Sequence, residues 1–224
     1  MSMTTAHTYA TRYLHGVHNL IATLDHAAIP QVAELLHTAR QHGRHVFVCG
    51  NGGSAATASH FVNDLNKGAN VSGQRRFRAI GLVDNTALLM AWSNDRAYEH
   101  ALSEQLLNFV EPGDVLIAIS GSGNSPNVLH AVQTAHQHGA VTVGLTGFDG
   151  GQLRGLVDIS LHVDSRTMEQ VEDAHMILCH TLTATLRQLM ADQAAAQGSH
   201  NGAESATAPV YYILEPTTDI EVRA

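Results

Sequence analysis

The most informative segment of this sequence is Val46-Phe-Val-Cys-Gly-Asn-Gly-Gly-Ser-Ala-Ala-Thr-Ala-Ser-His60-Phe-Val-Asn-Asp64. A short apolar run, three glycines in four residues and an alanine-rich segment follow one another, which predicts a strand, a tight turn and a helix. Glycines let the backbone approach a ligand, and free N–H groups where Ser54 would start the helix attract anions. Such turns also occur without a ligand, and this one matches neither GxGxxG nor GxxxxGK[ST]. The turn alone therefore leaves a phosphate site and a plain turn as alternatives.

The composition of the 224-residue chain is that of one globular domain, with 44% hydrophobic and 14% charged residues. A formal net charge of −8 argues against a protein that binds nucleic-acid phosphates. The two cysteines, Cys49 and Cys179, lie in apolar segments, which is typical of buried, reduced thiols. The sequence shows neither a signal-peptide pattern nor an apolar run of 18 residues. We therefore expect a cytoplasmic protein with no nucleic-acid or membrane partner.

Apolar periodicity predicts five strands that alternate with helices. The predicted strands are 45–49, 78–83, 115–119, 141–145 and 159–163, and the predicted helices are 5–25, 29–42, 54–66, 85–93, 97–110, 126–138 and 167–193. This order predicts an α/β fold, a three-layer α/β/α sandwich of flavodoxin-like type around a five-stranded parallel sheet. Polar composition beyond 193 predicts a domain over 1–193, a linker over 194–209 and a tail over 210–224.

A second loop of the same kind follows the apolar run at 115–119. It reads Ser120-Gly-Ser-Gly-Asn-Ser125, and Pro126 stands where a first helical turn tolerates it. Three hydroxyls and several backbone N–H groups at a helix N-terminus, without lysine or arginine, form a neutral nest that suits a phosphate. Because the carboxyl ends of parallel strands share one edge of the sheet, we expect the two loops to contribute to one site.

Four features of the chain together resemble the sugar isomerase (SIS) family. They are Gly50-Asn-Gly-Gly-Ser-Ala-Ala with His60, Asn94-Asp95, Ile119-Ser-Gly-Ser-Gly-Asn-Ser125, and a final helix with His180. The similarity covers residues 10–190 and is greatest to the phosphoheptose isomerases of that family. It implies an aldose–ketose isomerase that converts sedoheptulose 7-phosphate to D-glycero-D-manno-heptose 7-phosphate. It further implies a homotetramer with sites at subunit interfaces.

The resemblance also assigns roles to individual residues. It implies that the phosphate is held by Ser54, Ser120, Ser122 and Ser125. The open-chain sugar would meet Asn51 and Asp95, and the substrate site would be completed by Gly52, Gly53, Gly121 and Glu172. One Zn²⁺ per subunit would be bound by His60, Asp64, Glu172 and His180, and Asp64 and His180 would form the acid/base pair.

The spacing of these residues is compatible with one site. His60 and Asp64 are four residues apart and share a helical face. Glu172 and His180 are about 80° apart around a helix, whereas His175 and His180 are about 140° apart and should not share a metal. Two histidines and two carboxylates suit Zn²⁺ or a similar divalent ion. Spacing alone favours ordinary polar residues over a metal site, and the resemblance reverses that order.

Three positions depart from the family pattern. Asp64 stands where a glutamate is usual, Glu172 where many members have glutamine, and Gly121 where a threonine is usual. A base shorter by one methylene can misplace a proton transfer, while an added carboxylate suits a divalent cation. Two alternatives therefore accompany the isomerase: an enzyme for another long-chain ketose phosphate, and a non-catalytic oligomeric scaffold. A scaffold would not need the cluster around His180.

Overall fold

The computed structural model describes residues 3–198. Its strands are β1 (His45–Gly50), β2 (Arg78–Gly81), β3 (Val115–Ser120), β4 (Val141–Thr146) and β5 (Ile159–His162). Its helices are α1 (Met3–Ala22), α2 (Ala28–Gln41), α3 (Gly53–Asn63), α4 (Thr86–Asp95), α5 (Ala101–Leu106), α6 (Pro126–Gln137), α7 (Gly151–Leu156) and α8 (Met168–Gly198). A π-helical turn over Asp64–Gly68 follows α3, and a 3-10 turn over Tyr98–His100 precedes α5. Within residues 3–198 no helix combines the length and the apolar character needed to cross a membrane.

The five strands form one parallel sheet in the order β2-β1-β3-β4-β5. This order confirms the predicted parallel α/β fold, and it is the doubly wound arrangement of flavodoxin-like proteins. β1 and β3 are direct neighbours, with Gly50 opposite Ile119. The loops that leave these two strands therefore start side by side at the carboxyl edge of the sheet.

The core lies on both faces of the sheet because successive side chains of each strand point to opposite faces. Val48 and Ile117 are fully buried in the layer that includes α2, α3 and α8. Phe47 and Leu116 are fully buried in the opposite layer, against α5 and α6. Cys49 and Cys179 are buried and unpaired, as the sequence predicts, and burial raises the pKa of the Cys49 thiol to about 12. Packing in these two layers fixes the position of the carboxyl edge of the sheet, from which the loops after β1 and β3 start.

Several boundaries differ from the prediction. α7 forms between the predicted strands 141–145 and 159–163, where no helix was predicted, because Leu153 is fully buried against the core and tertiary packing outweighs the low helix propensity of glycine. The predicted helix 54–66 ends at Asn63, where the π-helical turn begins. α8 continues through Gly198 rather than ending at 193. Residues 199–224, with most of the predicted linker and tail, lie outside the described residues, so the domain division stays a prediction.

Candidate functional site

The glycines of the loop after β1 permit a close approach of backbone segments. A Cβ atom at Gly50 would lie 2.7 Å from the carbonyl oxygen of Ser54, so only glycine fits there. Gly52 has φ +54°, a left-handed conformation that favours glycine. A Cβ at Gly53 would collide with the carboxylate of Glu172 from α8. This carboxylate lies on the first turn of α3, where the helix dipole stabilises negative charge.

A reciprocal amide pair joins this loop to the start of α6. Asn51 Nδ2 donates to Asn127 Oδ1, and Asn127 Nδ2 donates to Asn51 Oδ1, both at 2.8 Å. Tyr98 Oη also donates to Asn51 Oδ1 at 2.7 Å. Asn127 is only 1% exposed, so its amide needs a protein partner. Asn51 was predicted to contact sugar, but Asn127 and Tyr98 were not predicted, since no local pattern marks a pairing across 76 residues.

The loop after β3 forms a nest of hydroxyl groups at the start of α6. Ser120 Oγ lies 3.4 Å from Ser125 Oγ and accepts from the Gly123 N–H at 3.2 Å. Ser122 Oγ accepts from the Asn124 N–H at 3.3 Å. Ser125 is the N-cap residue of α6, and its side chain makes no capping hydrogen bond. The structure therefore brings Ser120, Ser122 and Ser125 together at a helix N-terminus that can bind an anion.

Met168 fills the space that a side chain at position 121 would occupy. A Cβ at Gly121 would lie 2.8 Å from Met168 Sδ and 3.4 Å from its Cε. The sulfur belongs to the first residue of α8. A flexible thioether therefore lies beside the loop at 120–125, next to the glycine at position 121.

The second group of predicted residues lies between α3 and α8, which pack against each other. His60 Nε2 is 2.9 Å from His180 Nε2, and Asp64 Oδ2 is 3.5 Å from His60 Nε2 and 3.7 Å from His180 Nε2. The His60 and His180 side chains are 44% and 54% exposed, against 16% for Asp64. Solvent and small molecules can therefore reach this histidine–aspartate group, defined as His60, Asp64 and His180.

The donor atoms of the histidine–aspartate group fit a metal ion. Two nitrogens and one oxygen bound tetrahedrally to Zn²⁺ at about 2.0–2.2 Å would lie about 3.3–3.5 Å from each other. The three observed separations, 2.9, 3.5 and 3.7 Å, bracket those values. The three atoms lie within 4.8 Å of one another, so the group could hold a metal ion.

Three predicted site residues, Glu172, Asp95 and Ser54, lie outside the histidine–aspartate group. Glu172 is not a member of the histidine–aspartate group, because its carboxylate rests on Gly53 at the opposite end of α3 from His60. The predicted four-residue ligand set is thus reduced to three in this structure. Asp95 is exposed at the end of α4, where its Oδ1 accepts from the side chain of Asn94 at 3.0 Å. Ser54 is 7% exposed and so offers little surface to a ligand.

The π-helical turn was not predicted, and it begins at the proposed acid/base residue Asp64. The Ala69 N–H donates to the Asp64 carbonyl at 2.8 Å, the five-residue spacing of a π-helix. Such turns occur preferentially at functional sites. The Asp64 N–H still donates to the His60 carbonyl in the α-helical pattern, so the two side chains keep their four-residue helical spacing and the repeat changes only after Asp64.

The fold and these sites together define a doubly wound α/β protein. It has an anion nest, formed by Ser120, Ser122 and Ser125, at the sheet edge, and the histidine–aspartate group, which could hold a metal ion, between α3 and α8. Residues 9–147 match the SIS domain, and the chain belongs to the SIS domain family.

Its relatives carry consistent names. A probable phosphoheptose isomerase from Thermoplasma acidophilum is 36% identical over 177 residues, which are 79% of this chain and 97% of that protein. A phosphoheptose isomerase from Aliarcobacter butzleri is 39% identical over 63% of this chain and 75% of its own length. The solved structure of a phosphoheptose isomerase from Neisseria gonorrhoeae has a TM-score of 0.77 at 28% identity, covering 84% of this chain and 100% of that one.

His175 is separated from the histidine–aspartate group, in line with the helical angle computed from its spacing. It is 1% exposed, and burial lowers the pKa of its ring to about 4. The ring is therefore neutral at pH 7. It is a core residue and not a metal ligand in this arrangement.

We expect His175 to reduce stability in acid. Its pKa is lowered from 6.5 to about 4 in the folded protein, so between these values the unfolded chain binds a proton that the folded chain does not. Stability therefore falls as the pH falls through this window. The residue should account for a loss of about 3 kcal/mol in the free energy of unfolding between pH 7 and pH 4. Urea unfolding of His175→Leu at both pH values should show a correspondingly smaller loss.

The control is His138→Leu, which replaces an exposed histidine at the end of α6. This variant should keep the acid sensitivity of the parent. An undiminished acid loss in His175→Leu would contradict the assignment.

Proposed function

We propose that the protein is a phosphoheptose isomerase that interconverts sedoheptulose 7-phosphate and D-glycero-D-manno-heptose 7-phosphate. The observation that carries this proposal is the accessible carboxylate–imidazole pair, with Asp64 Oδ2 3.7 Å from His180 Nε2, in a chain similar over most of its length to proteins named phosphoheptose isomerase. Enediol chemistry needs two groups that exchange protons with adjacent carbons and oxygens of one substrate. This pair supplies them.

Phosphate binding is proposed for the serine loop rather than for the start of α3. Ser120, Ser122 and Ser125 surround the free N-terminus of α6. At the start of α3 the carboxylate of Glu172 already occupies the favourable end of the dipole and would repel a phosphate there. Ser54 then acts mainly through packing, and Asn51 and Asp95 are the proposed polar contacts to the sugar chain.

The proposed reaction moves two protons along C1 and C2 of the open-chain ketose. One member of the Asp64–His180 pair takes the proton from C1, the electron pair forms the C1=C2 bond, and the other member donates a proton to the C2 oxygen. The resulting enediol loses the proton of its C1 oxygen and gains one at C2, which leaves the aldose. Zn²⁺, when bound, would polarise the carbonyl group and stabilise negative charge on its oxygen.

The acid/base pair can be tested by turnover of sedoheptulose 7-phosphate. Asp64→Asn and His180→Ala should each lower kcat by about 10²–10⁴-fold, because general acid–base catalysis contributes that much. Binding of the sugar phosphate should persist, since the serine loop is unchanged. Asp192→Asn and His138→Ala, exposed residues on α8 and α6, should keep the parental kcat.

The outcomes separate the alternatives. Parental turnover in Asp64→Asn or His180→Ala would overturn the acid/base assignment. If the parent binds sedoheptulose 7-phosphate without converting it, an enzyme for another long-chain ketose phosphate is indicated. No binding at all would favour the non-catalytic scaffold.

We further propose that the histidine–aspartate group binds one Zn²⁺ per chain, with Glu172 outside the inner ligand set. Metal analysis after dialysis and titration with Zn²⁺ measure this without reference to activity. His60→Ala should weaken Zn²⁺ binding by at least about tenfold, since even outer partners of metal ligands contribute that much. Glu172→Gln should bind Zn²⁺ like the parent. Equal losses of Zn²⁺ affinity in both variants would show that Glu172 is a fourth ligand. An unchanged Zn²⁺ affinity in His60→Ala would refute the proposed zinc site.

A homotetramer with sites at subunit contacts is also proposed. Large apolar side chains are exposed on the single chain, including Tyr9 at 65%, Leu14 at 67% and Met90 at 66%. α4, which carries Asp95, buries none of its residues within the described part of the chain, which is typical of a helix that packs on another subunit. The buried, unpaired cysteines suit a reducing compartment, and on that ground we propose the cytoplasm.

Light scattering should give a molar mass four times the 23.9 kDa of one chain. Leu14→Glu places a charge on the exposed apolar surface of α1 and should reduce that mass, while Gln133→Glu, on the exposed face of α6, should not. A parental mass equal to that of one chain would contradict the proposal.

A further inference from the structure

A cavity of about 720 Å³ lies beside β5, at the edge of the sheet away from β2. It is formed by residues of β5, by the segments that follow β4 and β5, by α7, and by the turn between α1 and α2. None of its lining residues belongs to the serine loop or to the histidine–aspartate group. Its volume falls in the range of about 300–1,000 Å³ that small-molecule sites occupy.

Two arginines of this cavity lack anionic partners. Arg154 on α7 and Arg166 between β5 and α8 both line it. Neither guanidinium forms an ion pair or a side-chain hydrogen bond within residues 3–198. A guanidinium presents five N–H donors in a fixed fork that matches a phosphate or carboxylate. An anion bound in the cavity would satisfy donors that have no side-chain partner among residues 3–198.

The strand side of the cavity adds hydrogen-bonding groups. Ser160 Oγ is buried and has no hydrogen-bond partner among the described residues, although most buried polar atoms have one. His162 lies two residues further along β5, and its Nδ1 is 3.0 Å from Thr146 Oγ1. Burial and the Arg154 guanidinium lower the pKa of His162, and Nδ1 is the ring nitrogen that faces Thr146, which leaves Nε2 for a ligand.

Carboxylates line the same cavity and restrict what it can bind. Asp25, Asp149 and Asp164 outnumber the two arginines. Asp25 and Asp149 each accept one backbone N–H through Oδ1, at 2.9 and 3.0 Å, which leaves their other oxygens available. Three carboxylates repel a simple anion, whereas they accept hydrogen bonds from hydroxyl groups. The lining therefore favours a ligand with one anionic group and several hydroxyls.

The backbone conformation at the cavity wall is unusual. Phe148 has φ +53° and is the one non-glycine residue with positive φ in the described range. A bulky side chain in this region is strained, and such residues concentrate at ligand sites. Its N–H is held by the Ser165 carbonyl at 2.9 Å. Phe148, Asp149 and Arg166 also line a second cavity of about 310 Å³ that borders Ser122, so the cavity beside β5 adjoins the serine loop.

We propose that the cavity beside β5 is a second sugar-phosphate site, in which Arg154 and Arg166 bind the phosphate and the aspartates accept the sugar hydroxyls. The site is independent of the proposed isomerase reaction. It would let the protein sense a phosphorylated sugar without placing it at the histidine–aspartate group.

Calorimetric titration of the full chain with sedoheptulose 7-phosphate tests the proposal. His180→Ala is used as the background so that turnover does not obscure binding. We expect two bound ligands per chain in this background and one after Arg154→Ala and Arg166→Ala are added. Ser122→Ala and Ser125→Ala should remove the other ligand instead. Arg76→Ala, an exposed arginine outside the cavity, should leave two.

The arms separate this proposal from the isomerase assignment. If the serine variants change nothing but the arginine variants abolish the single observed binding event, the second site stands and the proposed substrate site fails. If binding is insensitive to both arginine substitutions, the second site is refuted.

Inorganic phosphate serves as a second probe of the cavity. It should bind at least about tenfold more weakly than the sugar phosphate, because the carboxylates repel it when no hydroxyls accompany it. Equal affinity would indicate a plain anion site and overturn the sugar-phosphate assignment. Unchanged circular dichroism and melting of the arginine variants show that they fold.

Discussion

The adjacency of β1 and β3 in the parallel sheet is the constraint on which the site depends. Both strands end at the same edge, so the glycine loop and the serine loop start as neighbours. The amide pair between Asn51 and Asn127 then joins one loop to the helix that follows the other. Leaving a buried amide unpaired costs about 1–3 kcal/mol, so the pair disfavours any movement that separates the loops. The anion nest is thus held by sheet topology and by one buried polar contact.

The sheet and the general position of the site can be predicted from the sequence because both depend on local patterns. Continuous apolar runs bounded by glycine and serine indicate buried parallel strands, and each strand was found within a few residues of its predicted position. The four-residue spacing of His60 and Asp64 places them on one helical face, and the angle between His175 and His180 separates a core histidine from an exposed one.

Features that arise from contacts between distant segments could not be predicted in this way. Asn127 has no local signal, because its partner is supplied by the opposite loop. Glu172 lies on the correct helix, but the packing of α8 on α3 directs its carboxylate to Gly53 and not to His60. The π-helical turn over Asp64–Gly68 changes the helical repeat at the C-terminal end of the predicted helix 54–66. α7 depends on burial of Leu153 despite its glycines.

The long helix α8 carries side chains that reach three different places. Met168 lies beside the serine loop, Glu172 covers the start of α3, and His180 belongs to the histidine–aspartate group. With a rise of 1.5 Å per residue, Met168 and His180 are held about 18 Å apart along the helix axis. A hydrogen-bonded helix resists stretching and compression, so α8 fixes the spacing of these three side chains along its axis. The relative positions of these three side chains are then a property of backbone geometry, and a change in any one side chain would leave the other two in place.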